Sequence, residues 1–213
     1  MAVLSEASRA VLIRRAFCLE WLTAAWMVIE AAVAIGAGIS AGSVSLIAFG
    51  ADSVIELASA GVLLWRLTIE LRDGAEFSEV VEQRASKIGG ALLFALAAYV
   101  AASAGYGLWR HEGQEFSTPG LVLATVAIPI MLLLAKAKIR IADSMGSRAL
   151  RTDAVESITC GYLSGVLVLG LLAQLLVGAW WIDSATSIAI VGLLIKEGQE
   201  AWQGDDCDDS DKR

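Results

Sequence analysis

Six apolar stretches, each bracketed by polar or charged residues, divide this chain: Phe17 to Ile39, Ser43 to Leu67, Ile88 to Trp109, Leu121 to Ala135, Arg151 to Val177, and Ile182 to Ile195 or slightly beyond. A hydrocarbon layer about 30 Å thick takes roughly 20 apolar residues in helical form. Backbone amides within it must be satisfied inside the segment itself. The pattern therefore predicts an all-α integral membrane protein of six transmembrane helices. The fourth and sixth stretches are short by that measure, so their helices are expected to run on into flanking polar residues.

Composition supports a membrane location, and charge orients the chain in it. Of 213 residues 57% are hydrophobic and only two are proline, outside the range of ordinary soluble domains. Thirteen of the 16 Lys and Arg residues fall in the N-terminal arm, after span two, after span four or in the C-terminal segment, Arg66 and Arg151 stand at the adjoining ends of spans two and five, and Arg110 alone falls in the loop after span three. The positive-inside bias then puts both termini in the cytoplasm. The expected location is a multi-pass place in the cell membrane, that of a bacterial cytoplasmic membrane, with the lipid bilayer as the principal partner.

The expected organisation is a cytoplasmic or interfacial arm over 1–16, a six-helix membrane domain over 17–203 and a short acidic tail over 204–213. Met1 to Arg15 lacks the apolar core and small-residue cleavage site of a signal peptide. The run Asp205-Asp206-Cys207-Asp208-Asp209 is too acidic and short to fold alone. A net charge of −7, with no basic run carrying interleaved aromatics, argues against nucleic-acid binding. Cys18, Cys160 and Cys207 show no paired spacing, so no disulfide is expected.

Against this apolar background the ionisable residues inside the spans call for explanation, because carboxylates near a bilayer centre cost several kcal/mol and usually face a cavity, a partner or an ion. Asp52 with Glu56 in span two, and Glu156 with Cys160 in span five, are pairs four residues apart. Each pair shares one helix face, with about 6 Å of rise between its members. Asp52 lies on the order of 14 Å below the outer surface, and Glu156 and Cys160 roughly 9 to 15 Å above the inner one, so all four can meet at one depth. Three carboxylates and a thiolate could hold a divalent transition metal tetrahedrally, and the sulfur would favour softer ions over Mg²⁺ or Ca²⁺. The alternative is that these groups pair with polar neighbours on other helices.

The stretch SVSLIAFGADSVIE, from Ser43 to Glu56, resembles the second transmembrane helix of the cation diffusion facilitators, and TDAVESITC, from Thr152 to Cys160, resembles their fifth. The similarity continues through Trp180-Trp181-Ile182-Asp183 into span six. It implies a midplane metal site made of Asp52, Glu56, Glu156 and Cys160, and export of a divalent cation from the cytoplasm in exchange for protons. The cargo it implies is Zn²⁺ first, with Cd²⁺, Co²⁺, Fe²⁺ and Mn²⁺ as alternatives, and no permanently bound cofactor. The fifth-helix pair departs from the family's usual His or Asp followed by Asp. A homodimer held through membrane helices is also expected, because the chain ends at Arg213 without the family's usual cytoplasmic domain. Gly89, Gly90, Ala97, Ala98, Ala101 and Ala102 of span three would permit close helix approach. A sensor that binds metal without moving it is the competing reading; an enzyme is not expected.

Other residues carry open readings. Asp153 could attract incoming cations or cap span five, and Glu30 could line a release path, relay protons, add a ligand or take an interhelical hydrogen bond. Glu20 is expected to be hydrated near the inner surface. Asp183 is expected to cap span six, and the basic segment Lys136 to Arg151 to form a loop against lipid headgroups. His111, the only histidine, is expected to be exposed to solvent.

Overall fold

The computed structural model describes residues 6–73, 79–111, 113–145 and 147–203, which form six helices and no strand. These are α1 (Glu6–Ala41), α2 (Val44–Asp73), α3 (Glu79–Arg110), α4 (Thr118–Met145), α5 (Arg148–Val177) and α6 (Ile182–Gln203). The acidic tail, with Cys207, lies outside the described residues. Five helices are long and apolar enough to cross a membrane. The 22 residues of α6 would span about 33 Å, but Asp183, Lys196, Glu197 and Glu200 dilute its hydropathy. Its place as the sixth member of the bundle rests on packing against α3, α5 and α2.

Two predicted boundaries move. The arm and the first span form one uninterrupted helix of 36 residues, because no glycine or proline occurs between Glu6 and Ile35. Likewise α4 continues through Lys136 to Met145, where a headgroup-facing loop was expected. Helix formation persists there because the first breaker after Pro129 is Gly146.

Successive helices run antiparallel, and the tightest pairs are α1 with α2, α4 with α5, and α3 with α6. Ile13, Ala16, Leu63, Leu67, Ala142 and Leu150 gather the start of α1, the end of α2, the end of α4 and the start of α5 into one cluster. The start of α3 meets the end of α6, where Gly90 packs on the carbonyl of Gly198. Glu6 and Gln203 therefore belong to the same end of the bundle, taken as the inner end from the charge distribution. Midway across, Met27, Phe49, Val100, Met131, Leu163 and Ile190 bring one apolar side chain from each helix into a shared core.

Without a hydrophobic drive between helices in lipid, close approach depends on small residues. At the α1–α2 crossing a Cβ on Gly50 would lie 2.7 Å from Ile35 Cγ1 and 3.0 Å from its backbone nitrogen. This crossing fixes the height of α2, which also touches α3, α5 and α6. Asp52 and Glu56 follow Gly50 by two and six residues and so sit at the centre of the bundle.

Candidate metal site

Asp52 and Glu56 project from one face of α2, with Asp52 0% and Glu56 4% exposed. Both oxygens of each carboxylate are buried without a hydrogen-bond partner. Glu197 enters from α6, 5% exposed, and its Oε2 is also unpartnered. One ligand atom from each of the three lies within 4.8 Å of the others, the closest grouping of three potential ligands among the described residues. Oxygens at about 2.0 to 2.2 Å from a shared ion are at most about 4.4 Å apart. A small inward adjustment of the side chains would therefore bring all three onto one ion.

Glu156 and Cys160 are differently engaged. The Cys160 thiol, fully buried on α5, donates to Glu30 Oε1 at 3.3 Å. The same oxygen accepts from Ser53 Oγ at 2.7 Å, and Glu30 Oε2 accepts from Trp26 Nε1 at 2.7 Å. Glu30 is thus a buried carboxylate with three donors, an interhelical hub joining α1, α2 and α5. Glu156 is only partly buried, takes a hydrogen bond from Ser59 and lies within electrostatic reach of Asp52, Glu197, Asp153 and Lys138. Of the four ligands expected from the sequence, the structure brings Asp52 and Glu56 together. It sets Glu156 and Cys160 beside the group rather than in it.

Nothing in the sequence motifs singles out Glu197, because Lys196-Glu197-Gly198-Gln199-Glu200 looks like the polar end of a span. Its periodicity carries the missing signal. Ser187, Ile190, Leu194 and Glu197 recur at spacings of three, four and three, and all are buried. Lys196 and Glu200, on the opposite face, are exposed and pair with each other at 3.6 Å.

A second polar cluster lies toward the inner end. Lys138 of α4 is fully buried and binds Glu20 Oε1 of α1 at 3.1 Å and Asp153 of α5. Glu20, expected to be hydrated, is instead 0% exposed, because a cation from another helix replaces water. Nor is Asp153 the cap of α5: Ser147 holds that position, its hydroxyl accepting from the Leu150 amide at 3.4 Å.

At the outer end Asp183 is buried inside the first turn of α6, one residue past the helix start rather than at the expected cap, and its carboxylate is directed to the start of α2. Its carboxylate accepts from Ser43 Oγ at 2.8 Å, the Val44 amide at 2.9 Å, and the Ser45 amide and hydroxyl at 3.3 and 2.5 Å. Free amides and the positive end of the helix dipole make a helix start a natural seat for an anion. Asp183 lies in the first turn of α6 and against the first turn of α2, so it ties two helix starts together. His111 is exposed as expected, with its ring 4.4 Å from that of Trp180.

No curated protein compared with this sequence matches it. A family model, the cation efflux transmembrane domain, matches residues 21–201, which take in α2 to α5 whole, most of α1 and α6, and every residue of the two clusters except Glu20. The chain therefore belongs to the cation efflux family, as a multi-pass membrane protein of a group that transports divalent metal cations.

Proposed function

We propose that this protein exports a divalent transition-metal ion from the cytoplasm in exchange for protons, by alternating access to a site built on Asp52 and Glu56. The observation that carries the reading is a pair of buried carboxylates, one helical turn apart, whose four oxygens have no hydrogen-bond partner among the described residues. Such groups are costly in a membrane interior unless something neutralises them, and a divalent cation or protons can each do so in turn. Zn²⁺ heads the candidate cargo, with Co²⁺, Fe²⁺, Mn²⁺ and Cd²⁺ after it. Protons compete with metal for the same carboxylates, so a more acidic exterior promotes release there and protonated carboxylates accompany the return. Glu156, between the inner cluster and the site, stands on the path from the cytoplasm.

The carboxylate oxygens are shielded from solvent, so opening to either side requires helices to move. The membrane domain is proposed to work as a homodimer through α3. Gly90 is used within the subunit by α6, whereas Ala98, Ala101 and Ala102 remain exposed on α3. The test of transport is metal flux into proteoliposomes under an imposed pH gradient. Wild type should move at least one of the five ions in a gradient-dependent way, and Asp52→Ala should abolish that movement. Metal binding without flux for any ion would replace the transporter with a sensor.

A further inference from the structure

We infer that Glu197 of α6 is the third metal ligand, completing a sulfur-free set of carboxylates with Asp52 and Glu56. The inference rests on the transport site proposed above and identifies the class of ion that site prefers. Two independent observations point to a ligand position. The donor atoms of the three residues lie within 4.8 Å of one another. Oε2 of Glu197, on a side chain only 5% exposed, is buried with no hydrogen-bond partner, as are all four oxygens of Asp52 and Glu56. Buried polar atoms are otherwise almost always satisfied, so five such oxygens across one group mark a place where something else completes them.

The neighbourhood explains why sulfur is left out. Cys160 is the only described cysteine near the site, and its thiol is directed to Glu30 Oε1 at 3.3 Å. That contact belongs to the hub which also takes the Ser53 hydroxyl and the Trp26 indole. Recruiting Cys160 to a metal would break it. Recruiting Glu197 breaks no hydrogen bond of its Oε2, because none exists. Carboxylate oxygens suit Mn²⁺ and are accepted by Zn²⁺, whereas thiolate is what favours soft ions. The set therefore lacks the donor that would single out Cd²⁺, and the marked preference for Cd²⁺ over Zn²⁺ and Mn²⁺ that a Cys160 ligand would give is not expected. Because α6 contributes a ligand, metal occupancy also ties α6 to α2 across the bundle.

The experiment is equilibrium binding of Zn²⁺, Mn²⁺ and Cd²⁺ to the purified full chain in detergent, by isothermal titration calorimetry. Wild type is compared with Asp52→Ala, Glu197→Gln and Cys160→Ser. Glu197→Gln should weaken Zn²⁺ and Mn²⁺ at least about tenfold, the scale on which even residues supporting a ligand act. Cys160→Ser should leave Cd²⁺ within about threefold, because sulfur is not among the donors. Binding that depends on Asp52 but is unchanged by Glu197→Gln would overturn the inference and leave the transport site standing. Binding indifferent to both Asp52 and Glu197 would overturn the two together. X-ray absorption of the zinc-loaded wild type gives a readout independent of how any variant folds. Only oxygen or nitrogen scatterers at about 2.0 to 2.2 Å should appear, and a sulfur at about 2.3 Å would refute the sulfur-free set.

Discussion

Lys138→Met should be the most damaging single substitution at the inner end of the bundle. The ammonium is fully buried, 3.1 Å from Glu20 Oε1 and bonded also to Asp153. At an effective dielectric of about 20, opposite charges separated by about 3 Å attract by about 5 kcal/mol. Desolvation offsets much of that attraction in forming the cluster, but it does not soften the loss when one partner is deleted. Removing the cation leaves Glu20 at 0% and Asp153 at 7% exposure with no counter-charge. Deleting one member of a buried pair costs about 3 to 5 kcal/mol, whereas replacing all members with well-packed hydrophobic groups of similar volume is often close to neutral. Methionine preserves most of the lysine stem, so the deficit reports charge rather than a cavity. Reversible unfolding in mixed detergent micelles, followed by tryptophan fluorescence, measures it. The triple variant Glu20→Met, Lys138→Met, Asp153→Leu should recover most of the loss. A single variant within about 1 kcal/mol of wild type, or a triple variant as unstable as the single, would refute the assignment of this cluster as a charge-paired interhelical tie.

Three further outcomes follow from contacts elsewhere. Asp183→Ala removes acceptors for two backbone amides and two hydroxyls at the start of α2; it should cost about 1.5 to 3 kcal/mol and speed amide exchange in the first turn of α2 more than at its centre. Gly50→Val would press on Ile35 at the α1–α2 crossing and should destabilise by about 1 to 3 kcal/mol; Gly61→Ala, with open space around it, is the control and should unfold like wild type. Cys160→Ser keeps a donor for Glu30 Oε1 and should stay within about 1 kcal/mol of wild type, whereas Cys160→Val removes the donor and should lose about 1 to 3 kcal/mol; equal stabilities in the same unfolding assay would show that the thiol contact does not matter.

The spans were legible because lipid imposes a single simple rule, and twenty-residue apolar stretches have few other uses. Asp52 and Glu56 stood out for the converse reason: two acids one turn apart in such a stretch need an ion, a cavity or a polar partner to be there at all. What the sequence could not supply was the identity of partners from other helices. Lys138 looks like a headgroup-facing lysine until α4 is seen to continue past it and α1 and α5 are seen to bring Glu20 and Asp153 to it. Cys160 has the spacing of a ligand, but Glu30, separated from it by 130 positions, claims its proton. Asp183 reads as the cap of its own helix, and only the fold shows that the start of α2 comes to rest on it. Glu197 stayed hidden in a charged helix end where residues at adjacent positions face opposite environments.

These partners sort the buried acids into two kinds. Glu30 is held by three donors, Glu20 and Asp153 share one lysine, and Asp183 is seated on the amides of α2; for each, the protein supplies what an anion in the membrane requires. For Asp52, Glu56 and Oε2 of Glu197 the described residues supply no hydrogen bond, although a hydroxyl or a lysine placed on any adjoining helix could have done so. An internal cation there would have offset part of the carboxylate charge permanently and weakened the hold on a cationic cargo. Three carboxylates left without one instead depend on what arrives: a divalent ion brings two positive charges, and protons can bring the rest or replace it. The same arithmetic makes metal and protons mutually exclusive in part, since each proton bound removes charge that holds the ion. In the transport cycle proposed above, exchange then follows from the electrostatics of an uncompensated group, with Lys138 and Asp183 securing the helices around it.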